Sequence, residues 1–449
     1  MNMIENKMGT KPVLPLIFSM AIPAMISMLI YSLYNIVDSY FVSLISEKAL
    51  RAVSIIFPVQ ILIISLGVGL GVGTSAIVSR KLGNNSFHNA NLTAHQGFLI
   101  TFAIGILFAI TGIFLSRPFL KIMTSDFEVF SMGLEYMSII CLFANFSLLE
   151  LVFEKSVQAT GQMIIPMISQ TTGAVINMIL DPVLIFGLFG FPELRIKGAA
   201  IATILGQFSA AMICFCYIAF KSEYLKIKIS NFIPKRKIIY EILKIGTPSI
   251  LLQSASSILL VGLNLIVSSI SEIGLTVIGI YFKLESFVFL PVFGLTQGLL
   301  PIVSYNFGAK NKNRIDLTIK YGNTVALIIM VTGTLIFQIF PSQLLSIFSA
   351  NDEMLKIGIP ALRIISLAFP FAAFGICSSI IFQAFGRGMI SLLISILRQL
   401  VLILPLSYIF SFYGLNKVWW SFPLSDFMGF FLYVFFLKKL YSEIINNLN

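Results

Sequence analysis

Hydrophobic residues in this chain neither alternate with polar ones nor keep to one stripe of a helix. They come in long, nearly unbroken runs separated by short polar connections. Alternating segments of about ten residues would signal a membrane β-barrel, whereas apolar runs of about 20 residues signal spanning helices. Twelve runs can be marked, at 13–43, 51–79, 94–116, 130–153, 163–189, 196–220, 241–268, 276–304, 318–340, 356–382, 389–413 and 417–437. The expected fold class is an all-α integral membrane protein with twelve transmembrane helices.

Composition sharpens this reading. The chain is 57% hydrophobic and 11% charged, with a mean hydropathy of +0.96. A soluble protein would carry about 25% charged residues. So much apolar surface exceeds what one buried core can hold. The first twelve residues are polar and the run after them is too long for a signal-peptide core, so no cleavable leader is expected.

The net charge of +11 reads as topology rather than nucleic-acid binding. With the N-terminus in the cytoplasm, the cytoplasmic tails and loops hold 19 of the 30 lysines and arginines, and the outer loops hold eight. Basic loops stay inside, so both termini are expected to be cytoplasmic. The longest connection, 221–240, is basic. It is expected to link an N-terminal six-helix bundle, 1–220, to a C-terminal bundle, 241–449.

The two halves resemble each other at a constant offset of 225 residues. SLISEKAL (43–50) matches SSISEIGL (268–275), and VSRKLG (78–83) matches VSYNFG (303–308). Pro23 pairs with Pro248, Gly69 with Gly294, Gly73 with Gly298, and QATG (158–161) with QAFG (383–386). An even number of helices per half gives both halves the same orientation. Parallel repeats of this kind are an architecture of secondary transporters. The chain has no GxxxxGK[ST] phosphate loop, so transport must draw on an ion gradient or the membrane potential. The run GVGLGVGTS (67–75) lies in mid-span and suits close helix packing better than nucleotide binding.

Four cysteines and two histidines show no metal-site spacing. Neither a cofactor nor an enzymatic centre is expected.

Charges inside the spans carry the functional signal. Asp38 is the only charged residue from Val13 to Val42. A carboxylate at such a depth costs about 2.5–3.5 kcal/mol on insertion scales. Asp181 sits in NMILDPVLIFG (177–187). Helices one and five both run outward, and each aspartate lies a few residues before the outer end. Asn177 precedes Asp181 by one turn, Asn35 lies three residues before Asp38, and helix six brings Thr203 and Gln207 to the same depth. Two carboxylates with amide and hydroxyl oxygens suit Na⁺ or H⁺. The repeat offset takes Asp38 to Leu263, and helix eleven has Leu404-Pro405 where helix five has Leu-Asp-Pro. A purely architectural acid would more naturally recur in both halves. Pro23 and Pro182 are candidates for bending the helices that carry the acids.

Other charges are less telling. Glu285 is a candidate for the substrate cavity of the second half. Lys283, Arg363, Arg398 and Asp426 have no assigned role. Glu150, Glu154 and Lys155, near the inner end of helix four, are expected to snorkel toward the interface.

The helix-five and helix-six signatures NMILDPVLIFG and GAAIATILGQ (198–207), with Pro23, Asp38, QATG and QAFG, make the chain resemble the MATE family, the multidrug and toxic compound extrusion antiporters. Within it, the resemblance is to the bacterial MepA-like branch, with its cation site in the N-terminal bundle. It implies two pseudo-symmetric six-helix bundles around a central cavity, and the chain's richness in Lys, Ile and Asn fits a bacterial cytoplasmic membrane. It also implies export of cationic amphiphiles in exchange for Na⁺ or H⁺, by a protein expected to act as a monomer. On this resemblance Asp38, Asn177, Asp181 and Thr203 bind the coupling cation. The other branch uses an acid on helix ten. Here 356–382 has Arg363 and no interior acid, so that site is not carried over. A lipid-linked saccharide flippase of related fold is the alternative. It would need a basic cavity for anionic cargo, which Lys283, Arg363 and Arg398 would have to supply.

Overall fold

The computed structural model describes residues 6–448, apart from the side chains of residues 229 and 254. Every regular element among them is helical. Ten helices are long and apolar enough to cross a bilayer, and two bent pairs of shorter helices complete twelve spans. In chain order these are α1 (Val13–Ile45), α2 (Glu47–Gly83), α3 (Phe87–Met123), α4 (Phe127–Leu142 with Ala144–Ala159), α5 (Ile164–Phe186) and α6 (Ile196–Lys221). The second set is α7 (Arg236–Ser268), α8 (Glu272–Gly308), α9 (Lys312–Ile339), α10 (Asp352–Ser366 with Phe369–Ala384), α11 (Gly388–Ser411) and α12 (Leu415–Asn447). The twelve expected spans match these in number and order. Most of the helices extend a few residues further, because nothing obliges a helix to stop at the hydrocarbon boundary. At about 1.5 Å per residue, the 37 residues of α2 span about 55 Å, well beyond a core of about 30 Å.

The repeat is written into the backbone. Both α2 and α8 contain 37 residues, and each starts after a serine N-cap one offset apart. Ser46 Oγ accepts from the Ala49 amide at 3.0 Å, and Ser271 Oγ accepts from the Gly274 amide at 3.0 Å. Left-handed residues recur at Asn85 and Lys310, and at Gly161 and Gly386. The Ser79 hydroxyl donates to the Ala159 carbonyl, and that of Ser304 to Ala384.

The bends recur as well. The two parts of α4 meet at 46° around Phe143, and those of α10 at 47° across 367–368. Only the second bend has a proline beside it, Pro370, so a bend at this repeat position does not require proline. In contrast, α1 runs unbroken through Pro23 and α5 through Pro182.

Contacts divide the chain into two compact units. One is Ile26–Thr247; the other is Pro248–Asn449 together with Met1–Met25. The first part of α1 therefore packs with the second half of the sequence, and the start of α7 with the first half. In the Pro248–Asn449 unit, an added Cβ on Gly294 would sit 2.6 Å from the Met25 Cα, so α8 and α1 touch backbone to backbone. The basic connection after α6 is pinned to α3. Asn91 exchanges two hydrogen bonds with the Lys226 backbone, His95 Nε2 accepts from the Lys228 amide, and Gln96 bonds at Asn231, Ile233 and Lys235.

Large apolar side chains face outward in quantity, among them Ile113, Phe114, Leu265 and Phe431. A surface of that kind requires an apolar surrounding. Inside, lipid gives little hydrophobic drive between helices, so small residues do the packing. Gly71 shows it: a Cβ there would lie 2.6 Å from Lys155 Cγ. The glycine run of α2 is thus a seat for α4.

Candidate functional site

The α5–α6 hairpin begins the site. Gly173 on α5 and Gly206 on α6 lie against each other so closely that a Cβ on Gly206 would sit 2.6 Å from the Gly173 carbonyl oxygen. One turn from Gly173 is Asn177, and three residues before Gly206 is Thr203. The glycine contact therefore brings these two side chains together. Asp181 follows one turn after Asn177 on the same face.

Asn177, Asp181 and Thr203 are buried, with exposures of 1%, 0% and 4%. In the amide orientation that satisfies both neighbours, Asn177 donates to Asp181 Oδ2 at 3.1 Å and accepts from the Thr203 backbone amide at 3.1 Å. The opposite orientation leaves only two contacts of 3.4 Å, to Asp181 Oδ1 and Thr203 Oγ1. The shorter pair is the better network. The Thr203 hydroxyl donates to the Ala199 carbonyl at 3.0 Å, a bond within its own helix.

Asp38 comes in from α1. It is half-buried, and its Oδ1 is enclosed with no hydrogen-bond partner among the described residues. It lies close enough to Asp181 for the two carboxylates to act on each other directly. Two neighbouring carboxylates, one with an unsatisfied oxygen, make a strongly cation-seeking centre. One turn further along the three helices, Val42, Ile185 and Ala199 join a buried apolar cluster with Ala49, Ile56 and Ile140. That cluster closes one side of the centre to water.

Four expected site residues thus converge: Asp38, Asn177, Asp181 and Thr203. Two neighbours do not join them. The Asn35 amide is turned back to the Tyr31 carbonyl at 2.7 Å, a bond within its own helix. Gln207 makes no hydrogen bond to the four, and its Oε1 is buried without a partner among the described residues.

Three residues that sequence reasoning missed stand around the centre. The Tyr136 hydroxyl accepts from the Gln60 amide at 3.1 Å and sits beside Thr203, Asp38 and Asp181. Tyr34 lies beside both aspartates. Tyr34 was findable, since it precedes Asp38 by one turn. Tyr136 and Gln60 lie on α4 and α2, and only packing brings them here.

Snorkelling fails as a description of α4. Glu154 and Lys155 are buried, at 5% and 7% exposure. Lys155 Nζ donates to Gln158 Oε1 at 3.0 Å, and the Gln158 amide donates to Glu154 Oε1 at 2.6 Å. The glutamine links the opposite charges, so neither has to reach the interface.

The other unit has a polar cluster of its own. Arg398 Nη1 on α11 pairs with Asp426 Oδ1 on α12 at 2.7 Å. Glu285 on α8 is half-buried beside them and hydrogen-bonds Tyr281. Lys283, two residues away, instead projects over the Phe348 ring, 5.8 Å from its centre.

Among known proteins, the chain is similar to the multidrug export protein MepA of Staphylococcus haemolyticus. The two are 26% identical over 425 residues, 94% of this chain and 93% of that one. MepA of Staphylococcus aureus is 26% identical over 417 residues, 92% and 91% of the two chains. A crystal structure of MATE in the straight conformation superposes with a TM-score of 0.92 at 25% identity, covering 98% of this chain and 99% of that one. An outward-facing multidrug resistance MATE family transporter gives 0.90 at 26% identity, with 98% of each chain covered. A transporter of the MOP superfamily from Pyrococcus furiosus, described as having a binding pocket of reversed polarity, also gives 0.90, at 25% identity and with 98% of each chain covered. The model of the family described as MatE matches residues 23–183 and, one repeat later, 248–409. The chain therefore belongs to the MatE family of multi-pass membrane transporters.

Proposed function

We propose that this protein exports organic cations in exchange for Na⁺ or H⁺ entering the cell, by alternating access. The observation that supports the reading best is the convergence of Asp38, Asn177, Asp181 and Thr203 from three helices around an unsatisfied carboxylate oxygen. Their oxygens fit a bare monovalent cation, and the paired carboxylates equally fit a proton.

The cycle follows from charge. Outward-facing protein takes up Na⁺ or H⁺ at Asp38 and Asp181. Neutralised carboxylates hold a cationic drug less well, and drug leaves to the outside. The protein then turns inward, releases the coupling ion and accepts new drug. Asn177 orients Asp181 and ties α5 to α6, so the loading state of the carboxylates is felt by both helices. In this reading the protein works as a monomer in a bacterial cytoplasmic membrane, with both termini in the cytoplasm and no cofactor. Its cargo is a cationic amphiphile, which the paired carboxylates of the first half would attract; the MepA relatives are named for multidrug export.

The test is ethidium efflux from energised cells carrying wild type or Asp38→Asn at matched membrane abundance, with and without Na⁺. Export by wild type alone supports the coupling site, and Na⁺ dependence names the ion. Equal export by both proteins removes Asp38 from the mechanism. No export of several cationic dyes would favour anionic, lipid-linked cargo instead. Against that outcome stands the engagement of Arg398 by Asp426, which leaves this guanidinium little charge to offer an anion.

A further inference from the structure

The acids of the first half have no acidic counterparts, with Leu263 in place of Asp38 and Leu404-Pro405 in place of Leu-Asp-Pro, yet the second half is not without acids. Glu285, Arg398 and Asp426 meet inside the Pro248–Asn449 unit, from α8, α11 and α12. Two carboxylates face one guanidinium. The ionised groups that act on Glu285 are Arg398 and Asp426, and Tyr281 is its hydrogen-bond partner. Tyr433 stands beside Arg398 from α12, where its hydroxyl bonds Ser379 and Ser395. With every group ionised the cluster carries one uncompensated negative charge in the span of a membrane protein, a costly state.

The position of the cluster is not arbitrary. At the repeat offset Glu285 corresponds to Gln60, whose amide holds Tyr136 beside Asp38 and Asp181. Arg398 corresponds to Gly173, and its side chain packs on Gly429 at ordinary contact distance: a Cβ there would be 3.4 Å from Arg398 Cδ. Two members of the cluster, Glu285 and Arg398, therefore occupy repeat positions that lie at or beside the centre of the first half. A π-helical stretch, Leu397–Ile403, presents Arg398, the kind of irregularity found at functional positions.

We propose that the C-terminal unit contains its own proton-binding site, with Glu285 as the acceptor and the Arg398–Asp426 ion pair as its fixed electrostatic partner. The proton is favoured over Na⁺ by the neighbours. A metal ion at Glu285 would sit beside the Arg398 guanidinium and be repelled by its charge. A proton removes the surplus charge without displacing Arg398, and the neutral acid keeps its bond to Tyr281. The inference does not rest on the coupling role of Asp38 and Asp181. It gives the transporter one ionisable centre in each unit.

Infrared difference spectroscopy on the full-length protein in lipid tests this, because a protonated carboxyl has its own carbonyl stretch. Spectra are taken between about pH 5 and about pH 9. Wild type should show a titrating carboxyl band that is absent from Glu285→Gln. The band should persist in Asp38→Asn and return at a shifted frequency in Glu285→Asp, which guards against loss through misfolding. If wild type and Glu285→Gln give superimposable carboxyl bands, Glu285 takes up no proton and the proposal fails. It fails also if the band vanishes in Asp38→Asn and survives in Glu285→Gln.

Discussion

Replacing Gly206 with alanine adds a single methyl group outside the four site residues, and it should still weaken cation binding. The added Cβ would lie 2.6 Å from the Gly173 carbonyl oxygen, where ordinary contact begins at 3.4 Å. The obstacle is backbone, which has no rotamer to yield. The shortfall is about 0.8 Å, and overpacking of this kind costs about 1–3 kcal/mol. If α5 and α6 separate by that amount, the 3.1 Å bond from the Thr203 amide to Asn177 stretches to about 3.9 Å, beyond hydrogen-bond range. A lost bond of this sort is worth about 0.5–1.5 kcal/mol. Cation affinity should then fall about two- to tenfold. The assay is the Na⁺ concentration, or the pH, that half-saturates ethidium efflux in vesicles with matched transporter content. Gly279→Ala is the control, because a Cβ there meets nothing within 4 Å. If Gly206→Ala transports with an unshifted cation dependence, the α5–α6 contact does not set the geometry of the site.

Two further outcomes test other parts of the fold. Cys216 is exposed while Cys141, Cys214 and Cys377 are buried, so a lipid-permeant maleimide should label one site rapidly and Cys216→Ser should abolish that phase; undiminished rapid labelling of the variant would contradict the packing of α6. Asp126 caps α4 by accepting from the Glu128 and Val129 amides and pairs with Lys48. The Val129 amide first of all, helped by Lys48, holds this carboxyl below its ordinary value of 3.8. A depressed value means stabilisation that is present above the unfolded value and lost as pH falls through the folded one. The melting temperature of Asp126→Ala should therefore trail wild type at neutral pH and converge with it in acid; a gap that persists below about pH 3 would refute the assignment.

Much of this molecule was legible in one dimension. Apolar runs announced the twelve spans because a bilayer leaves the backbone no alternative to helix. The offset of 225 residues announced two alike halves, and the structure extends the likeness to the serine caps at Ser46 and Ser271 and the bends near Phe143 and Ala368. Asp38 and Asp181 stood out for the same elementary reason: a carboxylate in an apolar run is costly and must have a use. Depth counting along each helix then put Asn177 and Thr203 beside them.

Counting along helices gives height but not rotation or neighbours. It placed Asn35 and Gln207 with the four, yet helix rotation turns Asn35 back on its own backbone and leaves Gln207 apart. It could not bring Tyr136 and Gln60 to the centre, since the partners of α2 and α4 are chosen by contacts such as that of Gly71 with Lys155. It read Glu154 and Lys155 as interfacial, and Gln158 makes them a buried network. Above all, it found the second half empty of acids at the equivalent positions, while tertiary packing assembles Glu285, Arg398 and Asp426 there from three helices. The sequence by itself determined what must cross the membrane and which charges are too costly to be accidental. Which of those charges meet was decided only by the tertiary structure, because side-chain proximity between helices depends on where small residues let their backbones touch.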